Sequence, residues 1–274
     1  MARLTGERPI QGVTPDSLLA LHEAGYRAVT ERLADGILLD LGCGQGFESI
    51  RLAGPRRRVV GVDRNAEALV HASTLRSAVR SNGRTPTDGP ALVLARTDAL
   101  KLCLGGGTFD YACSSHLIEH FDHPEGHVAE MSRVLKPGGS AFFLTPNKPA
   151  DFENPFHVHL FEPADLNAML GRYFSDVWLG GLDATPSVKA DFSARRERAA
   201  KVLKLDFLDL RHRIPRSWYV GAYTRVLPIA YKFMAKDDSG GSTGITADDF
   251  FVTEEIDETT LVLFAVARGP RAAA

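Results

Sequence analysis

The feature that most constrains this chain is the segment 40–46, Asp-Leu-Gly-Cys-Gly-Gln-Gly, which comes directly after a short apolar run. The run Ile37-Leu38-Leu39 is too short for a buried helix and is followed at once by glycines, so it predicts a buried strand. Glycines at 42, 44 and 46 lack a Cβ atom, which lets the backbone turn tightly and approach a ligand closely. The segment therefore predicts a strand that ends in a ligand-binding turn before a helix.

Strands and helices alternate beyond this turn. Because many of the strands are continuously apolar, the pattern predicts a mostly parallel sheet covered on both faces. We expect a Rossmann-like, doubly wound α/β fold of seven strands, with a helical insertion between the sixth and the seventh. The final strand material after this insertion, 250–252 and 261–267, is expected to form an antiparallel hairpin at the sheet edge. The remaining predicted elements are helices at about 16–33, 48–53, 66–80, 126–135 and 162–170, and strands at 37–39, 59–62, 91–95, 109–113, 140–144 and 174–179.

The segment 184–244 differs in character from the rest of the chain. Between Arg195 and Arg216 it carries eight Lys or Arg against three acids, with apolar residues interleaved. We expect a helical cap or lid at 184–244, inserted into a core of 1–183 and 245–274 that includes an N-terminal helix at 15–34. The basic stretch is interpreted as a solvated helix face; the functional alternatives are a lid over the acceptor and a contact in a homodimer.

Composition excludes several classes of protein. Lys+Arg is 32 and Asp+Glu is 34, a net charge of −2, which argues against a general nucleic-acid binder. No apolar run approaches the roughly 18 residues of a membrane span, and the first residues lack the apolar core of a secretory signal. Three cysteines without close Cys/His pairing do not indicate a disulfide framework. We therefore expect a cytoplasmic protein without a membrane span and without a nucleic-acid partner.

Two further acids follow predicted strands, as Asp40 does. Asp63 lies 23 residues later, at the end of the second strand, where an acid accepts hydrogen bonds from two ribose hydroxyls. Asp98 comes after the third strand, where a carboxylate meets an adenine amino group. The dinucleotide fingerprint G-x-G-x-x-G would need glycine where Phe47 stands, and the turn has no Gly-Lys-Ser/Thr after it. The three acids predict an adenosine site for a ligand that carries a cationic amine and no pyrophosphate.

Taken together, these residues resemble a known family. The glycine segment 40–46, Asp63, Asp98, His-Leu-Ile-Glu-His at 116–120 and Leu-Lys-Pro-Gly-Gly at 135–139 resemble the class I S-adenosylmethionine-dependent methyltransferases, over roughly 33–179. More narrowly, segments 6–9, 145–147 and 154–157 resemble a bacterial branch that acts on small molecules and sugars. The chain departs from that branch at 18–24, where aromatic and basic residues are more usual, and at His116, where Gln is common.

The resemblance implies S-adenosylmethionine as the cofactor and assigns residues to each part of it. The implied residues are Gly42, Cys43 and Gly44 along the methionine part and ribose, Asp40 at the amino group, Asp63 at the ribose hydroxyls, Arg64 beside the adenine, Asp98 and Ala99 at the adenine edge, Ser115 and His116 beside the sulfonium, and Arg8 and Tyr26 over the methionine carboxylate.

The residues directly after the fourth strand narrow the choice of acceptor. Enzymes of this kind that methylate base amino groups carry Asn/Asp-Pro-Pro-aromatic there, whereas this chain has Cys-Ser-Ser-His at 113–116. We therefore expect an oxygen acceptor on a small molecule, first a sugar or oligosaccharide hydroxyl. A quinone, phenol or polyketide hydroxyl is the alternative, and a catalytically silent S-adenosylmethionine-binding regulatory module is a third hypothesis.

An alcohol acceptor must also lose a proton, which a base with a pKa near neutrality takes best. Our first candidate for this base is His120, then His157, and Glu119 completes the predicted catalytic set. We expect no resident metal. A divalent ion such as Mg²⁺ or Zn²⁺ on Glu119, His120 and a third ligand such as His157 or Asp122 is an alternative that the spacing alone does not decide.

Overall fold

A computed structural model describes residues 14–81, 92–151, 154, 156–203 and 244–271. Strands and helices alternate along it, as the apolar pattern predicts. The strands are β1 (Gly36–Leu41), β2 (Arg57–Asp63), β3 (Leu92–Arg96), β4 (Phe109–Ser115), β5 (Leu135–Pro146), β6 (Phe174–Ala184), β7 (Phe250–Thr253) and β8 (Val262–Pro270). The helices are α1 (Asp16–Thr30), α2 (Ser49–Leu52), α3 (Ala66–Ser81), α4 (Glu125–Val134), α5 (Pro163–Tyr173) and α6 (Pro186–Leu203).

These strands form one sheet in the order β3-β2-β1-β4-β5-β8-β6-β7. The first five strands are mutually parallel, whereas β8 runs antiparallel to both β5 and β6, and β7 runs antiparallel to β6. The chain builds outward from β1 to β3 and then returns to the other side of β1 with β4. Ligands of open α/β sheets bind at the carboxyl ends of the strands where the order reverses in this way.

The expectations of seven strands and of a terminal hairpin are wrong. The described residues form eight strands, and β6 lies between β7 and β8. The physical reason lies in their burial. Val262–Ala267 is buried at every position, so β8 needs neighbours on both edges and cover on both faces. The short β7, with Phe251 half exposed, suits the edge of the sheet instead.

The predicted cap is described only at its start. Helix α6 comes after β6, and its buried Val188 and Phe192 join the apolar cluster that contains α1. Residues 204–243 lie outside the described part of the chain. The cap at 184–244 therefore stays a prediction.

Two apolar cores cover the two faces of the sheet. Leu38 of β1 packs into the cluster with α1 and α6, whereas its neighbour Leu39 packs into the cluster with α4 and α5. This alternation is the pleat of a strand that is buried on both sides. Across the described ranges, no helix combines the length and the apolar character needed to cross a membrane.

The turn after β1 is closed by backbone hydrogen bonds. The N–H groups of Gly42 and Cys43 both donate to the Val62 carbonyl, at 2.8 and 3.0 Å, and the Gly46 N–H donates to the Cys43 carbonyl at 2.9 Å. Gly46 has a φ of +73°, and a Cβ atom there would lie 3.0 Å from the Cβ of Ala72 on α3. Both the backbone angle and the packing therefore require glycine at this position.

We expect Gly46→Ala to lower the free energy of unfolding by about 1–2 kcal/mol, because the left-handed backbone strains any residue with a Cβ atom. The matched control is Gly171→Ala on α5, where a Cβ would meet nothing within 4 Å. That exchange should be neutral or stabilising by up to about 1 kcal/mol. Urea unfolding of both variants measures the difference; a Gly46→Ala variant as stable as the wild type would contradict this account of the turn.

Candidate functional site

The carboxyl ends of β1, β2 and β3 bring the predicted acids to one edge of the sheet. Asp40 lies in register with Gly61 of β2 and Cys113 of β4, and Asp63 is the last residue of β2. Asp98 lies two residues beyond β3. The three acids therefore lie in a row along the edge of the sheet formed by the carboxyl ends of the parallel strands, as the sequence predicts.

Asp40 is a fully buried carboxylate in this row. It accepts hydrogen bonds from the Tyr26 hydroxyl of α1, at 3.2 Å to Oδ1, and from the Ser49 hydroxyl at the start of α2. Burial raises the pKa of Asp40 to about 7, against the lowering effect of these two hydrogen bonds. Near neutral pH its charge therefore responds to any cation placed beside it.

Asp63 is bound to the glycine turn. Its Oδ2 accepts the Gly44 N–H at 3.0 Å, and its Oδ1 accepts the Asn65 N–H at 2.7 Å. The residue is 5% exposed. These contacts fix the carboxylate at the tip of β2 and tie it to the turn after β1. The next residue, Arg64, is exposed.

Asp98 and Ala99 lie in the turn after β3. Asp98 is exposed and accepts the Leu100 N–H at 2.9 Å. The Ala99 carbonyl accepts a hydrogen bond of 3.2 Å from Nδ1 of the buried His127, whose Nε2 lies 2.8 Å from the Ser114 hydroxyl. Burial lowers the pKa of His127 to about 4, so the ring is neutral and bridges the turn to β4.

Ser115 and His116 end β4 beside this row. The Ser115 hydroxyl is buried and has no hydrogen-bond partner among the described residues. His116 has a φ of +50°, a conformation rare for non-glycine residues, and its N–H donates to the Leu144 carbonyl at 2.8 Å. The strained backbone points the imidazole between the His22 ring of α1, 4.5 Å away, and Glu119.

Glu119 is a fully buried carboxylate surrounded by histidines. Its Oε2 accepts the Thr145 hydroxyl at 3.1 Å, and His116 Nδ1 lies 3.6 Å from its Oε1. Burial opposes ionisation, but His116, with His120 and His157, outweighs it and lowers the pKa of Glu119 to about 2. Glu119 is therefore a permanent anion and not a proton acceptor near neutral pH.

His120 and His157 face each other, with ring centroids 5.2 Å apart. His157 Nδ1 lies 2.7 Å from Oδ1 of Asp151, and His120 Nδ1 lies 2.9 Å from the Phe156 carbonyl oxygen. Burial lowers the pKa of His157, but the Asp151 hydrogen bond and the negative Glu119 together raise it. The structure thus brings the three predicted catalytic residues together.

The structure brings most of the predicted cofactor residues to this edge but adds partners that the sequence analysis missed. Arg8 lies outside the described residues. Cys43 is buried against Gly61 and lies within the turn. The missed partners are His22, Ser49, His127 and Asp151. Of these, only Asp151 had a local signal, six residues before His157 in the same loop.

The chain is similar to known methyltransferases over part of its length. The family described as a methyltransferase domain matches residues 39–143. A Mycolicibacterium smegmatis protein named "Probable S-adenosylmethionine-dependent methyltransferase" is 30% identical over 175 residues, which cover 61% of this chain and 63% of that protein. A Burkholderia ambifaria "Ubiquinone biosynthesis O-methyltransferase" is 33% identical over 129 residues, 46% of this chain and 47% of that protein. The matches span about half to two thirds of these relatives.

Solved structures share the fold at low sequence identity. A Thermotoga maritima protein described as "SAM-dependent methyltransferase, possible histamine N-methyltransferase" has a TM-score of 0.56 and 14% identity, covering 92% of this chain and 90% of that one. Haemonchus contortus phosphoethanolamine N-methyltransferase 2, in complex with S-adenosyl-L-methionine, has a TM-score of 0.53 and 17% identity, covering 90% of this chain and 52% of that one. At these identities the likeness shows the fold alone.

We expect the buried Asp40 to make stability depend on pH. Its pKa of about 7 in the folded chain exceeds the ordinary value near 4, so the folded state binds more protons and loses stability as pH rises between the two values. Asp40→Asn removes this loss. The free energy of unfolding of the variant relative to the wild type should therefore increase by about 2–4 kcal/mol between pH 5 and about pH 8.

Urea unfolding at both pH values measures this difference. Asp176→Asn is the control, because that carboxylate is exposed in a surface ion pair with Arg268. Its stability difference from the wild type should change little with pH. A difference for Asp40→Asn that is the same at pH 5 and pH 8 would show that burial does not hold the proton on Asp40.

Proposed function

We propose that this chain is a class I S-adenosylmethionine-dependent methyltransferase, as the methyltransferase-domain match over residues 39–143 and the Mycolicibacterium smegmatis relative support, and that it transfers the methyl group of S-adenosylmethionine to an oxygen of a small-molecule acceptor. The observation that carries the proposal is the meeting of two features at one sheet edge. The glycine turn tied to Asp63 lies on one side, and the buried Glu119 with its histidines lies on the other.

The residues at this edge fit the cofactor. Asp63 offers a fixed carboxylate for the ribose hydroxyls, and the exposed Asp98 suits the adenine amino group. The buried Ser115 hydroxyl lacks a partner among the described residues, as expected of a group that serves a ligand. Asp40 would stay ionised beside the cationic amine. When bound, S-adenosylmethionine supplies a methyl group already activated on a positively charged sulfur.

The protein's own task is then to place the acceptor oxygen and promote loss of its proton. We assign this task to His120 and His157, whose rings are partly exposed. Glu119 is a positioning residue in this proposal, because its side chain is fully buried and anionic. Its charge holds the surrounding imidazoles in place.

The acceptor class rests on the family resemblance and on the relatives. A sugar hydroxyl is the first candidate, on the narrower sequence resemblance at 145–147 and 154–157. A phenol or quinone hydroxyl is the second, favoured by the relative named for ubiquinone biosynthesis. Both candidates need the same chemistry, namely a deprotonated oxygen in line with the sulfonium methyl.

The test is a transfer assay with S-adenosylmethionine labelled in its methyl group and a panel of sugars, catechols and hydroquinones. Labelled product with a hydroxyl acceptor, and none with the matching methyl ether, supports the proposal. Calorimetric binding of the cofactor without transfer to any member of the panel would contradict it and favour a silent binding module.

We expect Asp63→Asn to weaken S-adenosylmethionine binding by about 10- to 100-fold, because hydrogen bonds to a charged acceptor contribute about 1.5–3 kcal/mol. Isothermal titration calorimetry measures the affinity. Asp248→Asn is the control, since that acid is 86% exposed and pairs with Arg27 on the surface. Equal affinities for the wild type and Asp63→Asn would remove Asp63 from the cofactor site.

A further inference from the structure

Three metal-ligating side chains converge beside the acceptor edge. Glu119, His120 and His157 each offer one ligand atom, and these atoms all lie within 4.8 Å of one another. Two of them come from the turn after β4 and the third from the segment after β5. Two imidazoles and one carboxylate on one side form a ligand set that leaves the other positions of a metal ion open.

The imidazoles are held as metal-binding histidines are held in other proteins. The partners of Nδ1 are a carboxylate oxygen of Asp151 for His157 and the Phe156 carbonyl oxygen for His120. These oxygens only accept, so Nδ1–H donates in both rings, and Nε2 carries the lone pair of the neutral imidazole. Such second partners fix the tautomer and the orientation of a ligating ring.

Asn154 supports the same assignment for His157. Its Oδ1 accepts the Phe156 N–H at 3.1 Å, which turns its amide nitrogen toward His157 Nε2, 3.2 Å away. The amide nitrogen can only donate, so Nε2 is the accepting atom. This lone pair is the one that a metal ion would use, so binding of the ion would displace the Asn154 amide donor from His157 Nε2.

Glu119 supplies an independent observation. Its Oε1 is buried and has no hydrogen-bond partner within the described ranges. The nearest imidazole nitrogens, His116 Nδ1 at 3.6 Å and His157 Nε2 at 4.0 Å, are beyond hydrogen-bond distance. A buried carboxylate oxygen without a partner is costly, and a cation between it and the two imidazoles would satisfy it.

We propose that Glu119, His120 and His157 bind a divalent transition-metal ion such as Zn²⁺, through Oε1 and the two Nε2 atoms. Imidazole suits transition metals, whereas Mg²⁺ prefers oxygen ligands, so the site favours Zn²⁺ or Co²⁺ over Mg²⁺. Asp151 acts as a positioning residue for His157. With the ion bound, the two imidazoles would be its ligands and not proton acceptors; a hydroxyl at an open position of the ion would instead lose its proton to solvent more readily. That role in transfer rests on the proposed function, whereas metal binding does not.

The experiment titrates the full chain, stripped of metals with a chelator, with Zn²⁺ and with Co²⁺ in the absence of cofactor and acceptor. We expect one ion per chain, a visible Co²⁺ absorption band of a nitrogen-containing site, and no displacement by excess Mg²⁺. Glu119→Gln, His120→Ala and His157→Ala should each weaken Zn²⁺ binding by at least about 10- to 100-fold. His123→Ala is the matched control, because this exposed histidine lies in the same loop and outside the group.

Circular dichroism checks that each variant folds, and His157→Gln replaces the alanine variant if the latter does not. The proposal is overturned if the wild type binds no Zn²⁺, if the three variants bind it as the wild type does, or if His123→Ala loses it equally. Zn²⁺ binding without methyl transfer would leave the metal site standing and refute the proposed function. Methyl transfer by a wild type that binds no Zn²⁺ would refute the metal site and leave the proposed function standing.

Discussion

The hydrogen bonds that close the turn after β1 are the constraint on which the rest of the site depends. The Val62 carbonyl accepts the N–H groups of both Gly42 and Cys43, so the ends of β1 and β2 are tied together before α2 begins. Gly44 continues the turn and donates to Asp63. One short segment thus sets both the shape of the edge and the place of its negative charge.

The other half of the site is organised by a single buried charge. The Glu119 carboxylate faces Nδ1 of His116 at 3.6 Å, and the Glu119 backbone carbonyl accepts the N–H groups of Val158 and His159 at 2.9 and 3.1 Å. A buried carboxylate is stable only when cationic or hydrogen-bonding groups face it. The backbone carbonyl of Glu119 therefore holds the loop after β5 against the turn after β4, and this arrangement places His157 opposite His120.

The parts of the structure with a local signal could be predicted from the sequence. The glycine turn, Asp63 and Asp98 each come directly after an apolar strand, and parallel strands bring their carboxyl ends to one edge. The position of β8 between β5 and β6 could not be predicted in this way, because it depends on pairing between distant segments. For the same reason the sequence analysis missed His22 and His127, whose partners come from other elements and leave no spacing pattern near them.

The most direct test of the central claim is a crystal structure of the chain with S-adenosylhomocysteine, the demethylated form of the cofactor. We predict that the ribose hydroxyls bind Asp63, that the adenine lies beside Asp98 and Ala99, and that the sulfur faces Ser115 and His116. A ligand bound away from the turn after β1, or a ribose that does not contact Asp63, would contradict this account.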